Sequence, residues 1–183
     1  KVNPSSLKRK WQDEEKRRAL LQKEDEAMAD GFSEVDRDNI RQLLKAGRQF
    51  LIRTHDGRAA IIAGYHWFDD WGRDTLISLP GLTFCRGDFD AGLAILEGIG
   101  RHERKGLLPN FFSPDGRNHA YNSVDASLWY FWAVQQMLHY SGNLGKIRET
   151  MWPVMRNIIQ GFMAGAALNI YMAENGLLHA GNA

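Results

Sequence analysis

Ala63-Gly64-Tyr65-His66-Trp67-Phe68-Asp69-Asp70-Trp71-Gly72-Arg73-Asp74-Thr75 packs four large aromatics, three carboxylates and a guanidinium into thirteen positions. Some fifty residues downstream comes Tyr121-Asn122-Ser123-Val124-Asp125-Ala126-Ser127-Leu128-Trp129, with the same mixture of rings and acid. Rings cover the apolar face of a sugar, while carboxylates and an Arg fork hydrogen-bond its hydroxyls. A tryptophan cluster alone reads as core. Polar partners interleaved with it shift the reading toward a neutral, polyhydroxylated ligand.

Working outward from these segments, helical patterns dominate. Residues 6–29 are helix-forming and densely charged, with Lys8-Arg9-Lys10 and Lys16-Arg17-Arg18 set among Asp13, Glu14 and Glu15. That pattern predicts a solvated helix laced with i,i+4 pairs rather than a nucleic-acid patch. Ile40, Leu43, Leu44, Gly47, Phe50 and Leu51 recur at helical spacing and predict a helix over 35–52 with one buried stripe. Asp56-Gly57 reads as a turn and Arg58–Ala63 as a short extended stretch. A helix from Arg73 carries Pro80, which predicts a kink or an early break. Gly87-Asp88 separates it from a helix over 89–104. Residues 106–122, rich in Gly, Pro, Asn and Ser, read as a long loop of the kind that carries function. Ser123 is the expected N-cap of a helix ending near Tyr140. Another spans 144–166, with Trp152-Pro153 as a kink, and Glu174-Asn175-Gly176 marks a hairpin. No βαβ alternation and no fixed-period repeat is visible, so the class is mostly α, built from successive helical hairpins.

Composition narrows the function classes. The 183 residues are 44% hydrophobic and 25% charged with a net charge of +1, which points to neither nucleic acid nor an anionic membrane. Cys85 is the single cysteine. An intrachain disulfide is therefore excluded, and a reducing, cytoplasmic setting is expected. No run of about eighteen apolar residues occurs, and the charged N-terminus shows no signal-peptide pattern.

Asp125 is the strongest catalytic candidate. A carboxyl in a first helical turn stays ionised in the dipole field, so acting as an acid requires burial among rings such as Tyr121 and Trp129 to raise its pKa. The alternative is a capping acid. Arg73-Asp74 is expected as a rigid unit that grips two hydroxyls, or as an ion pair opening the following helix. His66 with Asp69-Asp70 lacks further ligands at recognisable spacing, so no metal and no cofactor is expected. Ser123, Ser127 and Cys85 lack a histidine partner, which leaves a nucleophilic triad unsupported.

Four ordered motifs carry a family resemblance: Ala-Gly-Tyr-x-Trp-Phe-x-x-Trp-Gly-Arg-Asp-Thr, Leu79-Pro80-Gly81-Leu82, Gly106-Leu107-Leu108-Pro109-Asn110, and Tyr121-Asn122-Ser123-Val124-Asp125-Ala126. Over residues 35–183 the chain resembles the amylo-α-1,6-glucosidase domain of glycogen debranching enzymes. The resemblance implies a glucoamylase-like (α/α)6 toroid that hydrolyses α-1,6-linked glucose stubs on glycogen or limit dextrin with inversion. It implies Asp125 as general acid and a glucose subsite lined by Trp71, Arg73 and Asp74; Tyr65, Trp67, Phe68, Asn110, Tyr121, Asn122 and Trp129 are expected to bind substrate with them. The partner it implies is an α-glucan.

The family's general base belongs to the C-terminal half of the toroid. Ending at Gly181-Asn182-Ala183, the chain is expected to supply about the N-terminal half and to lack the base. Residues 1–34 are then a charged helical linker or extension, and 35–183 the half-toroid. Helical faces left unfilled favour association with further protein. A catalytically silent carbohydrate-binding piece and a helical scaffold are the alternative readings.

Overall fold

The structure is a computed structural model describing residues 4–167 and 169–181. The first three residues of the expected extension and the terminal Asn182-Ala183 lie outside the described residues. The chain divides into two compact units, Lys1–Gln49 and Phe50–Ala183. The fold is mostly helical. Among the described residues, no helix is long and apolar enough to cross a membrane.

The first unit is a pair of helices, α1 (Pro4–Ala29) and α2 (Glu34–Arg48). Most of α1 is solvated as expected. Glu14 accepts from both Arg17 and Arg18, and these bonds pull its carboxyl down to about 2. Ser33, in extended backbone, caps α2 by accepting the Asp36 N–H at 3.3 Å. Arg48 ties the two helices together, 2.8 Å from Asp25 and 3.1 Å from the Leu21 carbonyl.

Two expectations for this region fail. The α2 stripe contains no buried residue, and Leu43 is exposed, because α2 packs on the charged α1 rather than on an apolar layer. The helix also stops at Arg48 instead of reaching Ile52. Strand β1 (Leu51–Arg53) begins there, and the Phe50 carbonyl accepts the Ile62 N–H at 2.9 Å.

In the second unit, β1, β2 (Ala59–Gly64), β3 (Phe68–Trp71) and β4 (Phe111–Phe112) form one antiparallel sheet in that order. β2 occupies the stretch read as extended, with Ala60 and Ile61 buried. β3 and β4 were not expected. Each is too short to show alternation, and β4 lies inside the supposed loop, held by Asp70↔Phe112 and Trp71↔Phe111 pairing. The sheet leads directly into α3 (Gly72–Leu82), followed by α4 (Phe89–Gly100) and α5 (Asp125–Ser141).

After α5, a short α6 (Leu144–Lys146) passes through a π turn at Ile147–Met151 into α7 (Trp152–Ala164). The expected kink at Trp152-Pro153 is realised as this π turn, and Pro153 sits in the opening turn of α7, where its missing N–H costs little. Pro80 breaks nothing. It lies in the last turn of α3, so the bond it forgoes is close to where the helix ends. α4 stops before Arg104, which bridges to Leu107 instead. A hairpin of β5 (Ile170–Met172) and β6 (Leu178–Ala180) follows, as the turn signal predicted.

The core is shared by α3 (Leu76, Leu79), α4 (Ile95, Leu96, Ile99), α5 (Tyr130, Val134, Met137) and α7 (Ile158, Phe162), with Ile61 and Phe112 contributed by the sheet. The Gly106–Pro109 segment is drawn into this core rather than looping over the surface. Leu107 and Leu108 are fully buried, and the Leu108 N–H donates to Ser127 Oγ at 2.9 Å.

Gly72, at the β3–α3 junction, has no room for a side chain: a Cβ there would lie 2.1 Å from the Pro109 carbonyl oxygen. Since that neighbour is backbone, Gly72→Ala is expected to destabilise the fold by about 1–3 kcal/mol or more, measured by urea denaturation against Gly81→Ala, where a Cβ meets open space.

His102 and His119 meet edge to face with centroids 4.6 Å apart, and His119 also packs on Phe112. Burial, followed by nearby positive charge, lowers both imidazole pKa values from the ordinary 6.5. The unfolded chain therefore binds protons that the folded one resists. Stability should be full above pH 6.5 and fall below it, levelling off once the folded-state values are passed. Melting temperatures across pH 5–8 for the wild type and His119→Phe check this: the variant should lose part of the acid-side decline.

Candidate active site

Two segments far apart in sequence meet here. Arg73 stands in the first turn of α3 and Asp125 opens α5, and the guanidinium grips the carboxylate with both arms: Nε–Oδ2 at 2.6 Å and Nη2–Oδ1 at 2.8 Å. Ser123 Oγ donates to Asp125 Oδ1 and also lies 3.4 Å from Arg73 Nη2. The N-cap of α5 is Val124 rather than the expected Ser123, though Ser123 Oγ accepts the Ala126 N–H at 3.4 Å from one residue further out. The α3–α5 packing that brings these residues together rests on Leu76, Leu79, Tyr130 and Ala133, all fully buried.

The electrostatics differ from the requirement set for an acid. Hydrogen bonding to Arg73, reinforced by Ser123 and only partly opposed by burial, holds the Asp125 carboxyl below the usual carboxylate range. Asp125 is therefore ionised at neutral pH in this state. The expected burial is incomplete, since the Asp125 side chain stays 37% exposed, and both rings make contacts of their own. Tyr121 donates its hydroxyl to the His102 carbonyl at 2.7 Å, under the Arg104 guanidinium. Trp129 packs edge to face on Trp132 at 5.5 Å. The expected Arg73-Asp74 unit is also revised: Arg73 reaches to Asp125, while Asp74 stays exposed and adds negative charge nearby.

The remaining predicted residues divide into two groups. Tyr65, Trp67 and Phe68 are exposed around the β2–β3 turn, Trp67 at 77%. Exposed rings in such a run form an apolar surface bounded by polar groups. Trp71 packs on Phe111 at 5.3 Å, and Asn122 is exposed. Asn110 is buried with Oδ1 lacking a partner, and its carbonyl accepts the Gly72 N–H at 3.0 Å. Asn110 thus fixes the entry to α3 through its backbone.

A supporting group went unrecognised in the sequence. Asp70, beside the exposed Asp69, is buried. Arg58 Nη2 reaches its Oδ2 at 2.6 Å, and Thr75 donates to its Oδ1 at 3.1 Å. Thr75 Oγ1 also lies 3.2 Å from the Ile61 carbonyl, and the Arg58 guanidinium stacks on Phe112 at 4.3 Å. This group clamps β2, β3 and β4 to the first turn of α3 and so sets the position of Arg73. The only sequence signal for it was a basic residue at the start of the extended stretch facing an acidic pair.

The chain belongs to the amylo-alpha-1,6-glucosidase family, whose model matches residues 45–183. Among curated relatives, it is similar to the glycogen debranching enzyme of Saccharomyces cerevisiae, 38% identical over 69 residues. That alignment takes in 38% of this chain and 4% of the yeast enzyme, so the chain spans a small part of the relative's length.

Removing the guanidinium should release Asp125. In Arg73→Ala, the Asp125 carboxyl pKa is expected to rise toward or above 3.8, its ordinary value. Carboxyl carbon shifts followed by NMR across pH 2–7 report this directly. An unchanged titration would show that the ion pair is not formed in solution.

Proposed function

We propose that this chain forms the acid-bearing part of a glycogen-debranching glucosidase, which hydrolyses α-1,6-linked glucose stubs on an α-glucan with inversion. The observation that carries this reading is the bidentate Arg73–Asp125 pair, which unites two family motifs 52 residues apart on adjoining helices. Asp125 is the general acid. Arg73, Asp74 and Trp71 hold the terminal glucose, with Tyr65, Trp67 and Phe68 offering ring surface to the glucan. Asn110, Tyr121, Asn122 and Trp129 complete or support the subsite.

The guanidinium keeps Asp125 ionised. Glucose hydroxyls that draw Arg73 away would remove the hydrogen bonds lowering the carboxyl pKa. Ring burial by the sugar would then raise it toward the range in which it can donate a proton to the leaving oxygen. Inversion also needs a carboxylate base roughly 6.5–9.5 Å away across the sugar. In this reading, the base and the remaining helices of an (α/α)6 toroid come from further protein. Exposed Ile77, Leu128, Ile159 and Met163 support such an association, since they leave apolar helix surface uncovered.

The low Asp125 pKa also favours a second reading, a carbohydrate-binding module in which Arg73 and Asp125 only hydrogen-bond hydroxyls. Glucose release from an α-1,6-glucosyl-branched maltooligosaccharide separates the two. In the longer enzyme, Asp125→Asn should lower turnover by roughly 10²–10⁴-fold while sparing binding, and wild type should release β-glucose first. Trp67→Ala should weaken glucan binding in either case. Folded protein that binds glucan without turnover would select the binding module.

A further inference from the structure

Asp70 and Phe112 are register partners, as are Trp71 and Phe111, so the two pairs point to opposite faces of the sheet. On the Asp70–Phe112 side, away from Trp71, lies a cavity of about 270 Å³ between the β1–β2 turn and the 113–119 loop. Nothing in the proposed reaction uses it.

Its polar lining is unusual in what it leaves unmade. Arg58 gives Nη2 to Asp70, but its Nη1 is buried with no acceptor. His119 Nδ1 accepts the Ser113 N–H at 3.1 Å. In the neutral ring the proton therefore sits on Nε2, and that atom too is buried without a partner. Both side chains pack on the Phe112 ring. Two buried N–H groups left without an acceptor are costly, and an oxygen with free lone pairs would satisfy them.

Charge decides what kind of oxygen. Asp56, Asp69, Asp70 and Asp115 line the same cavity against the single guanidinium of Arg58, so an anion is repelled. A cation meets the two unpaired donors. A neutral ligand whose groups both accept and donate satisfies both sets, accepting from Arg58 and His119 while donating to the carboxylates. Adjacent hydroxyls on a pyranose ring do this.

We propose that the cavity is a second glucosyl-binding site, separate from the Arg73–Asp125 face, that holds a neighbouring unit of the same α-glucan. It rests on the reading of residues 50–183 as an α-glucan-acting domain. Arg58 Nη1 and His119 Nε2 are closed off from solvent, so the exposed 114–118 segment must shift outward before a hydroxyl in the cavity reaches them.

The test is an NMR titration of the ¹⁵N-labelled chain with maltotriose, run on wild type, Arg73→Ala, His119→Phe and Asp69→Asn. Expected are amide shifts over 113–119 and at His102 in wild type and in Arg73→Ala alike. These should weaken tenfold or more in apparent affinity in His119→Phe and severalfold in Asp69→Asn. The last change is at an exposed position and keeps the assay readable if His119→Phe does not fold. Shifts confined to residues around Trp67, Arg73 and Asp125 would overturn the second site and leave the functional reading intact. Shifts over 113–119 alone would support the cavity and count against the Arg73–Asp125 subsite. No shift at either place overturns the proposal.

Discussion

Asp70 carries a carboxylate into the interior of residues 50–183, and its neighbours are arranged around meeting the cost of that burial. Desolvation pushes its pKa up from the ordinary 3.8, and Arg58 and Thr75 oppose this with a charge and hydrogen bonds. Breaking a buried pair of this kind by removing one partner typically costs about 3–5 kcal/mol. The pair is therefore a strong constraint on where β2 and the start of α3 can lie. Arg58 in turn sits over the Phe112 ring, and His119 of the 113–119 loop packs on the same ring.

That constraint reaches the site through short, stiff links. Trp71 ends β3 and Gly72 begins α3 with a backbone approach to Pro109 that admits no side chain. Arg73 follows immediately, so its guanidinium is placed by the sheet on one side and by α3–α5 packing on the other. Asp125 is placed by the opposite end of that packing, with Ser127 on the same helix holding Leu108. The two halves of the site are thus set by one continuous chain of buried contacts. Arg73 and Asp125 themselves remain partly exposed, where a ligand can compete for their hydrogen bonds.

The same geometry explains a tension between motif and electrostatics. A general acid needs a proton, yet the hydrogen bonds from Arg73 keep Asp125 charged. The two are reconciled if the guanidinium is shared between Asp125 and the sugar, because the interaction that lowers the carboxyl pKa is the one a hydroxyl-rich ligand disrupts. An isolated helix dipole would not be switchable in this way. A bidentate side-chain pair is.

Much of this was legible beforehand, and the reasons for the rest are physical. Long amphipathic or strongly apolar stretches such as Phe89–Gly100 and Asp125–Ser141 announce helices through periodicity, and ordered motifs identified the family and the residues to watch. What the sequence could not disclose were two- to four-residue strands, which show no period and exist only through pairing, as with Phe68–Trp71 and Phe111–Phe112. Nor could it disclose that Leu107 and Leu108 turn inward from a glycine- and proline-rich segment. By itself the sequence determined the helical class and the family, because these follow from residue type and spacing. Only the tertiary structure decided that Asp70 pairs with Arg58 and that Arg73 closes on Asp125 rather than Asp74. Hydrogen-bond partners and desolvation depend on which distant side chains are brought within about 3 Å, and spacing along the chain carries no record of that.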